Sequence, residues 1–184
     1  NIYNINFDCF ISRIPKILYK LNKKQVANFI KAFADDEAHV YDSSIEFYSS
    51  NKDLIKDFIR LIKIKFQELK ISNIKINKGS RKNILNPKYS FSVLSKSLDF
   101  YAKNIGFDHK QKMEDLLFNI KRNKLGKKYN QSLITSKKIL KILTRENLTA
   151  KGLSRKLYLT HGYLLKKLNK LKKENKVRII KKEK

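Results

Sequence analysis

The sequence predicts an α+β domain followed by a small, mainly helical domain, and three observations predict it. Two pairs of alternating apolar and polar stretches lie between amphipathic helices in the first two thirds of the chain. The remainder carries helical periodicity almost throughout. Between the two, residues 123–134 ("NKLGKKYNQSLI") follow no period and read as a linker.

Each element has its own local warrant. Residues 1–23 hold scattered aromatics and Pro15, and "IPKILYKL" reads as a short packed lead-in. Gln25–Asp35 is a helix, because Phe29, Ile30, Phe33 and Ala34 recur at helical spacing. "HVYDSSIEFYSS" is aromatic and β-branched, so two short strands should turn near Asp42, Ser43 and Ser44. Asn51 is a good N-cap for "KDLIKDFIRLIKIKFQEL", whose apolar face runs Leu54, Ile55, Phe58, Ile59, Ile62, Phe66. "ISNIKINKG" alternates Ile71, Ile74 and Ile76 with polar residues, a strand. "SRKNILNP" is a basic loop, and "KYSFSVLS" is a second alternating strand. Helices over Lys96–Asn104 and from Asp108 to Arg122 follow. The order α-β-β-α-β-β-α-α implies an antiparallel sheet with helices on one face and the other face open to water or to a ligand.

Past the linker, residues 135–184 hold three short helices. Thr135 opens "SKKILKILTREN", Thr149 can cap "AKGLSRKLY", and Thr160 can cap "HGYLLKKLNKLKKEN". A β-like ribbon, "KVRIIKKEK", closes the chain. Three helices with a tight turn before the last and a ribbon after it match a winged helix-turn-helix layout.

Composition narrows the function classes. The chain is 184 residues long, 41% hydrophobic and 11% aromatic, enough for a core in one domain or two small ones. No apolar run has transmembrane length, and the start shows no secretory signal. The lone Cys9 makes neither an internal disulfide nor a cysteine metal cluster, which points to a reducing cytoplasm. Asn1 stands where a Met would open a complete chain, so a fragment is expected. The net charge is +27, and it is uneven. Residues 1–122 carry 23 basic and 13 acidic side chains, whereas residues 123–184 carry 20 and 3. Such self-repulsion calls for a polyanion, with nucleic acid ahead of an anionic membrane surface. The expected setting is the cytoplasm, in association with the nucleoid.

One short stretch runs against the charge. In "FIKAFADDEAHV" three carboxylates, Asp35, Asp36 and Glu37, close an apolar helix. Acids at a helix C-terminus sit at the wrong pole of the dipole, at about 0.3–1 kcal/mol each. A divalent cation would reverse that sign, because hard cations take carboxylate oxygens.

This stretch resembles the LAGLIDADG motif of homing endonucleases, with Ile30–Ala38 on its nine positions. The downstream "SSNKDLIKDFI", "YSFSVLS" and "LDFYAKNIGFDHKQKMEDL" extend the resemblance over residues 24–122. It implies an αββαββα half-saddle that binds double-stranded DNA. It also implies Mg²⁺-dependent phosphodiester cleavage, with Glu37 at the metal and Lys110 or Lys112 at the attacking water. Asp35 falls on a position that is mostly structural in the family. Ala32 and Ala38 depart from the family's glycines at the helix contact. With one motif visible, a second repeat must come from a homodimer mate or from a missing part of the chain. "IPKILYKL" is similar to the connector that precedes such a repeat.

In the tail, Leu164, Leu168 and Leu171 face inward at i, i+4, i+7. The remaining face shows His161, Tyr163, Lys166, Lys167 and Lys170, the side a recognition helix lays in a major groove. Lysines hold phosphates; His161 and Tyr163 read bases. Lys176 and Arg178 belong to the wing, and Arg81 and Lys82 to the basic loop of the saddle. Together these features predict a homing endonuclease with an appended winged helix. The alternatives are a non-cutting transcriptional regulator on the same scaffold, or an RNA maturase.

Overall fold

The computed structural model describes residues 11–77, 87–126 and 136–178. The chain divides into two compact units, Asn1–Ile120 and Lys121–Lys184. Among the described residues there are four strands in one antiparallel sheet and seven α-helices, an architecture compatible with the expected α+β class.

In the first unit, α1 spans Lys23–Glu37, two residues longer at each end than its periodicity predicts. Asn22 and Gln25 form a reciprocal capping box at its start, which satisfies two otherwise free N–H donors. Strands β1 (Ala38–Val40) and β2 (Ser44–Ser49) form the hairpin expected around residues 42–44. Helix α2 runs Lys52–Lys65, with the Asn51 side chain accepting from the N–H groups of Asp53 and Leu54. It stops four residues short of the predicted end. Beyond it Phe66 and Leu69 fold into the core, and the Leu69 N–H donates to the Phe66 carbonyl in a turn.

Strands β3 (Lys75–Asn77) and β4 (Lys88–Leu94) complete the sheet in the order β1-β2-β4-β3. The strand predicted from Ile71 is interrupted. Ile71 makes an isolated bridge to Val93, while the Ser72 hydroxyl accepts from the Ser92 N–H in place of a regular ladder. The basic loop containing Arg81 and Lys82 lies outside the described residues. A 3₁₀ turn leads into α3 (Leu98–Asn104), and α4 runs Lys110–Gly126, four residues into the span predicted as linker.

Register explains the core. Ile45 pairs with Val93 and Phe47 with Phe91, so one face of the sheet is apolar. Phe47 and Phe91 stack at 4.9 Å, and Phe58 of α2 and Phe33 of α1 continue the aromatic cluster at 5.6 and 4.5 Å. At the end of α3, Gly106 takes φ +70°, and its N–H returns to the Tyr101 carbonyl at 2.9 Å. The conformation favours glycine there, and it turns Ile105 and Phe107 inward to flank Tyr101.

The second unit contains α5 (Ser136–Leu143), α6 (Ala150–Leu157) and α7 (His161–Lys173). Thr149 and Thr160 cap the last two as expected, accepting from Gly152 and Tyr163. Ile139, Leu153, Leu157, Leu159, Leu164 and Leu171 form a separate core. Of the expected closing ribbon, Lys176–Arg178 is not in a strand, and the rest lies outside the described residues. No helix among the described residues is long and apolar enough to cross a membrane.

Candidate nucleic-acid interface

The second unit offers the most concentrated positive surface. Helices α6 and α7 are joined by three residues, Tyr158, Leu159 and Thr160. Tyr158 adopts φ +53°, uncommon for a residue with a side chain, and lets the chain reverse at once. The Leu159 N–H then returns to Ser154 at 3.0 Å, and the Leu159 side chain is fully buried between the helices. Asn175, also left-handed, ends α7, with Lys176 donating back to Leu171 at 2.9 Å and Asn175 to Lys172 at 3.0 Å. Both turns bracket α7, whose leucine face packs in the core of this unit.

At 100° per residue, the side of α7 opposite Leu164 and Leu171 carries Gly162, Lys166, Asn169 and Lys173, with Lys170 at its edge. All five are exposed. The three lysines make no ion pair among the described residues, which leaves their ammonium groups available to an anion. Gly162 sits at the start of this line with open space around it, so a ligand can approach the backbone of the first turn. The sequence reading missed Asn169, Lys173 and Gly162. An angular plot of the helix would have found them, since the leucines alone fix its orientation.

The other predicted contacts are placed differently. His161 is exposed at the flank of the line. Tyr163 is half-buried against the leucine core, with Lys167 Nζ 5.6 Å from its ring centre, so this pair forms the opposite flank. Lys176 pairs with Glu174 at 2.8 Å, while Arg178 is exposed.

In the first unit the acidic helix end has a structural explanation. The Asp35 carboxylate accepts from the backbone N–H groups of Asp108 and His109, both at 3.1 Å, just ahead of the first turn of α4. In return Lys112 of α4 donates to the carbonyls of Ala34 and Asp35, at 3.1 and 2.6 Å, at the last turn of α1. Lys31 adds an ion pair to Asp108 at 2.7 Å. Each helix end thus receives the charge its dipole favours from the other helix. Lys112 is a cap for α1. Lys110 is exposed at the first position of α4, and Glu37 is exposed at the end of α1. Ala32 is exposed on α1 beside Asn28, whereas Ala38 is buried. No group of three or more His, Cys, Asp or Glu side chains among the described residues is placed to hold a metal ion.

The face of the sheet away from the core is polar. Glu46 lies at its centre, accepting from Tyr48 Oη at 2.7 Å and from Ser90 Oγ at 2.8 Å, and Tyr41 Oη meets Tyr48 Oη at 2.7 Å. Burial, then the hydrogen bonds to Tyr41 and Glu46, push the Tyr48 phenol well above its ordinary range, so it stays a neutral donor. His39 packs edge-on to Tyr41 at 4.4 Å.

Two curated relatives share sequence with the chain. A protein named probable translation initiation factor IF-2 from Thermococcus kodakarensis is 28% identical over 121 residues, and one of the same name from Methanocaldococcus jannaschii is 32% identical over 119. Each match takes in 64% of this chain, against 9% and 10% of the relatives, so the chain spans about a tenth of the length of the curated relatives it matches. No family model matches, and no solved structure matches. These relatives correct the expectation of a homing endonuclease: both bear the name of a translation factor and neither that of a nuclease.

Proposed function

We propose that this chain is a nucleic-acid-binding segment of a translation-related protein, with RNA as its polyanion. The observation that carries the reading is the exposed lysine line of α7, in a region with 20 basic and 3 acidic side chains over residues 123–184. Counterion release on a phosphate backbone is the use such a surface serves best. The relatives' name supplies the translation setting, and RNA is the nucleic acid of that setting. In this reading the first unit is a half-saddle of the αββαββα kind found in LAGLIDADG proteins, used as a scaffold. The second is a helix-turn-helix unit of winged type whose α7 tracks phosphates. Lys166, Lys170 and Lys173 hold the backbone; His161 and Asn169 lie where they can touch bases.

Fluorescence anisotropy with a structured RNA hairpin and a DNA duplex of equal length, over a salt series, tests this. Binding to the hairpin should weaken steeply with salt, with a log–log slope of roughly −3 or steeper. Failure to bind either probe at low salt would sink the reading. The helix–turn–helix hairpin is the one feature that favours duplex DNA, and a preference for the duplex would replace RNA by DNA as the ligand.

A further inference from the structure

A second positive site lies in the first unit and shares no residue with the α7 surface. An open cleft of about 790 Å³ is bounded by the end of α2, the residues leading into β3, the end of β4 and the β1–β2 turn. Four of its lining residues are lysines, Lys63, Lys70, Lys75 and Lys96, and none is an Asp or Glu. All four are exposed, and none makes an ion pair with a described carboxylate. Lys23, Lys31, Lys56 and Lys103 of the same unit each pair with an acid. Five serines also line it, Ser43 and Ser95 exposed, Ser92 buried and Ser72 with its hydroxyl bonded to the Asn73 carbonyl, and Leu69, Ile71 and Leu94 add apolar surface. The volume falls in the range of small-molecule sites, ~300–1,000 Å³.

Like charges gathered around one concavity repel, and its low-dielectric walls strengthen the field they share. An anion with several charges relieves that repulsion. A single carboxylate would meet only part of it, whereas consecutive phosphates spread negative charge over the span the lysines enclose. Lysine acts on phosphate as a point charge with three donors, and serine hydroxyls complete the hydrogen bonding. We infer that this cleft binds a run of consecutive phosphates. In a nucleic-acid-binding chain, the reading on which this ligand source rests, the run is a stretch of RNA backbone. The alternative source with the same chemistry is a free polyphosphate.

The test uses the full chain, with Lys63→Gln/Lys96→Gln set against Lys56→Gln/Lys103→Gln. Both pairs remove two charges from the first unit, but Lys56 and Lys103 are already paired with Asp53 and Asp99. Two probes are titrated, a single-stranded 12-nucleotide RNA and inorganic tripolyphosphate. The cleft pair should weaken RNA binding about tenfold and flatten the log–log salt slope by about 1.4, with the control pair changing either much less. Loss confined to tripolyphosphate, with no RNA binding by the wild type, would keep the cleft as a phosphate site while ending the nucleic-acid reading. Equal effects of the two pairs on both probes would overturn the proposal.

Discussion

The end of α1 and the outer side of α7 are both charged helix surfaces, and they use charge in opposite ways. At α1 every strong group but two is answered: Asp35 by two backbone N–H groups, Lys112 by two carbonyls, and Lys31 by Asp108, while Asp36 and Glu37 stay exposed. Along α7, Lys166, Lys170 and Lys173 are exposed and make no ion pair among the described residues. A charge met within the fold stabilises the fold. A charge left unmet costs repulsion and stays available to a ligand. Within the acidic run, the partner of Asp35 is the positive end of another helix.

The contrast can be broken most forcefully at α7. Replacing Lys166, Lys170 and Lys173 together by Gln should lower affinity for the RNA hairpin by roughly one to two orders of magnitude and flatten the salt slope by about 2–3. Urea unfolding of the same variant should change by no more than about 0.5 kcal/mol. An intact salt slope would show that these lysines are only solvated. Asp35→Ala should behave in the reverse way, costing about 1 kcal/mol by urea unfolding, the usual loss for a missing cap, with RNA affinity held. A fall in affinity without a fall in stability would place Asp35 at a ligand instead. Gly106→Ala should also cost about 1 kcal/mol, because φ +70° strains any side-chain residue, even though the added Cβ meets only ordinary contacts.

The smallest effect concerns pH. Arg13 holds Asp57 in a two-pronged pair at 2.6 and 2.8 Å, and this hydrogen bonding draws the Asp57 carboxyl below its ordinary range. The folded chain therefore keeps Asp57 ionised where the unfolded chain has begun to take up a proton. The stabilisation is complete above the ordinary aspartate pKa, about 3.9, and is lost as pH falls through the lower folded value. Arg13→Leu should thus flatten the acid limb of a stability–pH curve while altering neutral-pH binding little. An acid limb unchanged from wild type would deny the pair that role.

Much of the architecture was legible, and for one reason. The caps at Asn51, Thr149 and Thr160, the leucine stripe of α7 and the hairpin around residues 42–44 depend on hydrogen bonds and faces that repeat within a few residues. Local residue type is sufficient to encode them. Lys166 and Lys170 were legible for the same reason, whereas Lys173 needed the helix to be oriented on its core. The end of α2 at Lys65 was not, because the apolar run continues and only the demand of the core for Phe66 and Leu69 breaks it.

By itself, then, the chain's order of residues determined which segments are helical or extended, where most of them begin, and that positive charge concentrates in residues 123–184. Only the folded arrangement decided that β4 lies between β2 and β3, that Asp35 meets α4 more than seventy residues away, and that Lys63, Lys70, Lys75 and Lys96 border one cleft. Local bonding is set by neighbours in sequence. Contacts between distant residues are set by which apolar faces can be buried together, and the polar groups at their edges take whatever partners that burial brings within reach.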